Sequence, residues 1–152
     1  MNPILICPSP SFEPTTSEAV VNFDRMHILL SFGPDTLRVD EFYAFSNPSA
    51  EVFVGESGDP AQGTVRMALP AGAQNIAFQR TFGAIDQTIP ATEIIQLADG
   101  AFADVFPLNP GSNALNLIAS YDLPYEEGMT VSRPVFTIRA ASASLSRIEA
   151  SL

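Results

Sequence analysis

At 152 residues the chain has the size of one domain and can bury about two-thirds of its unfolded surface in one core. Apolar residues make up 46% and charged residues 16%, against roughly 25% charged in ordinary soluble domains. That balance excludes intrinsic disorder and predicts a surface thin enough in charge to face another chain. A net charge of −10 repels a phosphate backbone and so excludes nucleic acid as a partner.

All seven basic residues are arginine, which removes every mechanism that needs a lysine, from Schiff bases to the P-loop cation. Cys7 is the one cysteine, so neither an internal disulfide nor a thiolate metal cluster can form. No run of about 18 apolar residues occurs, and no membrane span is expected.

From the start to Ser17 the chain carries Pro3, Pro8, Pro10 and Pro14 among Ser and Thr, which favours extended, polyproline-like backbone. Residues 1–18 are therefore read as a Pro-rich arm or linker and 19–152 as a single domain. Ile4, Leu5, Ile6 and Phe12 suit an arm that lies against something.

Within 25–32 (RMHILLSF), Met26, Ile28, Leu30 and Phe32 alternate onto one face, the period-two signal of a half-buried strand. Gly33, Pro34 and Asp35 break it. Residues 36–47 place Leu37, Val39, Glu41, Tyr43 and Phe45 opposite Arg38, Asp40, Phe42 and Ala44, which predicts a long strand paired with the first as a hairpin. Short strands are expected over 51–55 and 63–69, and weaker ones over 75–80, 92–97 and 101–106, with a loop over 81–90. Residues 113–123 and 129–140 alternate again and are read as a second hairpin across 124–128. Pro134 cannot donate to a ladder, which puts the last strand on an edge or at a bulge. Residues 141–152 are open between a short helix and a final strand. Strands recurring every 8 to 12 residues or so, with turn signals between them, predict an all-β, antiparallel β-sandwich of immunoglobulin-like or Greek-key type.

The residues assemble no catalytic set. His27 is the one histidine, sits in a strand on the face opposite the apolar series, and reads as a surface or interface residue. The segment Gly55, Glu56, Ser57, Gly58 lacks the spacing of a nucleophile elbow. Asp40 and Glu41, neighbours in a strand, point to opposite faces; Glu126 and Glu127 fall at a hairpin tip; Asp99 with Asp104 is a third acidic pair to weigh for glycoside hydrolysis. Without tryptophan, only Tyr43, Tyr121 and Tyr125 could stack on a sugar. Glu56 with Asp59 and Asp99 with Asp104 are the loop acids to weigh for calcium. Met26, Met67, His27 and Cys7 are the soft ligands, and their spacing defines no metal site. No catalytic, cofactor-binding or metal-binding residue is assigned.

Three segments together, FDRMHILLSF with LRVDEFYAFSNPS (23–49), VRMALPAGAQNIAF (65–78) and IASYDLPYEEGMTVSRPV (118–135), resemble an uncharacterised domain of secreted or membrane-attached bacterial proteins that follows a carboxypeptidase-regulatory-like β-sandwich. The resemblance implies an extracytoplasmic, non-enzymatic accessory domain that tethers or scaffolds a partner. It supplies no catalytic residues. The expected function is a binding or structural module docking to another chain or to itself; a carbohydrate- or calcium-binding module is the alternative, and a small β-fold hydrolase a third.

Overall fold

Alternating apolar strands can hide their inner faces only against one another, and this chain does so with two packed sheets. The computed structural model describes residues 11–81, 87–135 and 146–151. Twelve strands run β1 (Pro14–Thr15), β2 (Asn22–Phe32), β3 (Thr36–Asn47), β4 (Val52–Phe53), β5 (Val65–Met67), β6 (Gln74–Thr81), β7 (Thr88–Pro90), β8 (Ile94–Gln96), β9 (Phe102–Asp104), β10 (Gly111–Pro124), β11 (Thr130–Val135) and β12 (Ser146–Ser151). Among the described residues there is no α-helix, only 3-10 turns at Glu18–Val20 and Pro60–Gln62.

The larger sheet is antiparallel with order β2-β3-β10-β6-β7, and it packs on a three-stranded antiparallel sheet β5-β9-β8. The expected all-β sandwich is thus the fold. Its main core takes Tyr43, Phe45, Leu115 and Leu117 from the large sheet and Val65 and Met67 from the small one. A second cluster, Leu37, Val39, Tyr121 and Leu123, fills the far end of the large sheet's inner face. Burying side chains of this size contributes roughly 1.5–3 kcal/mol each.

The β2–β3 hairpin forms as its alternation predicts, closed by the Gly33 N–H donating to the Thr36 carbonyl at 2.7 Å. Two other expectations fail. Residues 81–90 are not all loop, because Thr88–Pro90 pairs with β6. The predicted hairpin of 113–123 with 129–140 is absent: β10 has β3 on one edge and β6 on the other, so no ladder position is left for β11. β11 pairs instead with β12, which makes 146–151 a strand, and Pro134 lies in this two-stranded sheet, where each strand is an edge.

Of the proposed N-terminal arm, residues 1–10, with Cys7, lie outside the described residues. Pro14–Thr15 is not free of the fold: β1 pairs parallel with β4, with Val52 N–H donating to Glu13 O at 2.8 Å and Val54 N–H to Thr15 O at 3.0 Å. Beyond β4 the chain folds back tightly at Gly55 (φ +92°) and Gly63 (φ +74°). A Cβ on Gly63 would lie 2.4 Å from that of Ala103, so both the conformation and the close approach require glycine there.

Candidate functional site

The large sheet has one face in the core and one turned outward, and parity assigns each side chain to one or the other. Outward-facing rows follow from the register: Arg25, Ala44, Asn116 and Thr81 lie side by side across β2, β3, β10 and β6, and His27, Phe42, Ile118 and Gln79 form the next row. Apart from Gln79, these residues line a cavity of about 460 Å³, with Leu29 at the β2 side and Asn113 on β10. Its described lining includes two basic residues, Arg25 and His27, and no carboxylate. His27 is exposed on the outer face, as the alternation predicts.

β2 is also an edge. Among the described residues it pairs with β3 alone. A bulge between Phe23 and Arg25 disturbs its first turn of pairing. From Met26 to Phe32 it then runs without proline, glycine or a formal charge. Leu29 and Phe32 are each 56% exposed there, Phe32 meeting Tyr125 edge-on at 5.4 Å between ring centroids.

The acids weighed for chemistry go elsewhere. Asp40 faces outward, held by Ser120 Oγ at 2.5 Å and by Arg38 at 3.7 Å. Glu41 faces inward and is 1% exposed, accepting hydrogen bonds from Tyr43 Oη and, at 2.7 Å, from Tyr121 Oη. These two carboxyls lie on opposite sides of a sheet and cannot flank one glycosidic bond. With Tyr43 and Tyr121 buried and Tyr125 against Phe32, the tyrosines make no shared sugar platform.

Asp99 and Asp104 also separate. Asp99 is an exposed turn residue, bonded to the Ala101 N–H at 3.1 Å and to Arg66 at 2.6 Å, and both contacts hold its carboxyl below the usual range, the backbone bond most strongly. Asp104 is fully buried and takes a bidentate bond from Arg80, Nε to Oδ2 at 2.8 Å and Nη2 to Oδ1 at 2.6 Å. Arg80 Nη1 reaches Glu93 at 2.6 Å, and the guanidinium lies 5.0 Å from the centre of the Phe106 ring. Arg80 comes from the large sheet and Asp104 from the small one, so this pair ties the sandwich together. Its signal was a lone charge in each of two strands, which demands a partner once buried.

Glu56 and Asp59 sit in the exposed loop between β4 and β5, where Asp59 caps the Ala61 N–H at 2.9 Å. Glu126 and Glu127 are exposed at the turn after β10. Among the described residues no group of three or more His, Cys, Asp or Glu is placed to hold a metal ion. No described helix is long and apolar enough to cross a membrane. No protein-family model and no curated protein matches the chain.

Proposed function

We propose that this chain is a non-catalytic, extracytoplasmic binding or structural module that docks to another protein chain, a second copy of itself included, by adding a strand at the β2 edge. One observation carries the reading: seven consecutive edge residues, Met26 to Phe32, without charge, proline or glycine. An edge strand offers a row of main-chain donors and acceptors, and folded proteins ordinarily guard it with charge, proline or a bulge. Here the bulge comes before the apolar stretch. Segments of six or seven residues with this composition pair readily with another strand. The sparse charge of the whole chain and its resemblance to accessory domains of secreted bacterial proteins support the same reading.

Light scattering of the full chain tests it beside the double variant Ser31→Lys/Phe32→Lys, which charges the edge outside the cavity. The expected result is a wild-type assembly of more than one 16.3 kDa chain that becomes monomeric in the variant. A monomeric wild type, or a variant that assembles as well as the wild type, overturns edge docking as the mode of self-association.

A further inference from the structure

The outer-face cavity carries an argument that edge docking does not absorb. In a chain of net charge −10, its described walls hold Arg25 and His27 and no acid. Of the four arginines whose side chains are described, Arg38, Arg66 and Arg80 are ion-paired, and Arg25 has no ion-pair partner among the described residues. The flanking outward acids are engaged elsewhere, Asp24 with Ser46 Oγ at 2.8 Å and Asp40 with Ser120 and Arg38. A guanidinium beside an apolar floor of Leu29, Phe42 and Ile118 suits a carboxylate with a hydrocarbon tail.

The opposite wall supplies the second observation. Thr81 lines the same cavity, is 2% exposed, and its Oγ1 has no hydrogen-bond partner among the described residues. A buried hydroxyl without a partner costs about 1–3 kcal/mol, and a ligand oxygen reaching it would recover that cost. Arg25 on β2 and Thr81 on β6 lie in one row, with β3 and β10 between them, so they stand about three strand spacings apart, ~14 Å. A volume of about 460 Å³ falls inside the range of roughly 300–1,000 Å³ typical of small-molecule sites.

We propose that this cavity binds an aliphatic carboxylate of about ten carbons bearing a second oxygen at its far end, with the acid head on Arg25 and the far oxygen on Thr81 Oγ1. Ile118 and Phe42 bury the hydrocarbon between them.

The test is isothermal titration calorimetry of the full chain with ω-hydroxydecanoate, decanoate and decylamine, each below its micellar concentration. ω-Hydroxydecanoate is expected to bind tightest and decylamine not at all. Arg25→Gln, a change at an exposed residue, is expected to weaken both acids by about tenfold, the loss of one charge-assisted hydrogen bond. Thr81→Val is expected to abolish the preference for the ω-hydroxyl while leaving decanoate binding in place. Absence of binding by either acid, equal binding of decylamine, or an Arg25→Gln chain that binds both acids like the wild type overturns the proposal. Thr81→Val that keeps the ω-hydroxyl preference overturns the placement of the far oxygen. All of these are read at constant molecular mass, so they stand or fall separately from docking at the β2 edge.

Discussion

The core of this sandwich contains two buried polar clusters built on opposite plans. Around Glu41 a carboxyl is held by two tyrosine hydroxyls, all three side chains rising from β3 and β10 of a single sheet. Around Arg80 a cation from β6 meets Asp104 from β9, across the gap between sheets. The first sits between the two apolar clusters and separates Val39 from Tyr43 along the inner face of β3. It fixes side chains within a surface that backbone hydrogen bonds already hold together. The second joins surfaces that share no ladder, so the relative position of the sheets depends on it and on apolar contacts such as Phe78 with Phe102, 5.2 Å between ring centroids. A polar group of the same burial therefore does different work according to whether its partners lie in the same layer.

The sharpest way to break that contrast is to remove one half of the inter-sheet pair. Arg80→Met leaves Asp104 buried without its cation and is expected to cost about 3–5 kcal/mol in urea denaturation, whereas Arg80→Met combined with Asp104→Leu is expected to regain most of it. A single variant that unfolds like the wild type would mean that the apolar interface alone sets the packing of the sheets. Within the tyrosine cluster the expected loss is smaller: Tyr121→Phe removes one donor to Glu41 and should cost about 1–3 kcal/mol. Equal losses at both sites would erase the distinction between them.

The smallest effect concerns pH. Glu93 has its carboxyl pulled below the ordinary range, chiefly by its hydrogen bond to Arg80, and Asp122 is pulled down by Asn75 and then by Arg38. A carboxyl depressed in the folded state binds fewer protons there than in the unfolded chain. Its contribution is therefore present above the unfolded pKa of about 4 and is lost as pH falls through the lower folded value. Urea midpoints are expected to decline below pH about 4, and Glu93→Gln is expected to flatten that decline slightly. An unchanged acid slope in Glu93→Gln would assign the loss to other carboxyls.

Much of the sandwich was legible in the chain because parity is a local property. Leu37, Val39, Tyr43 and Phe45 announce a buried face by their spacing alone, and β3 spans the residues that the spacing gave it. Glu41 in that series was readable as a buried carboxyl in need of donors. What local pattern does not encode is partner choice. The five-residue connection after Leu123 suggested that β10 and β11 were neighbours, yet both edges of β10 are filled by strands far away in sequence. β7 is three residues long, too short for alternation to register against the turn residues around it. The outer cavity was illegible for the same reason as the pairing. Arg25 and Thr81 are 56 positions apart and share a row only through the registers of three successive strand pairs.

The parallel clip of β1 on β4 gives the domain a mechanical asymmetry. Tension applied at Glu13 loads the two main-chain bonds from Val52 to Glu13 and from Val54 to Thr15 before the long β2–β3 ladder behind them. The clip pairs two residues where the β2–β3 ladder pairs ten, and its release gives slack of at most ~3.3–3.6 Å per residue before β2 begins to strain. A chain pulled at that point extends by a small amount with its sandwich and its β2 edge still folded.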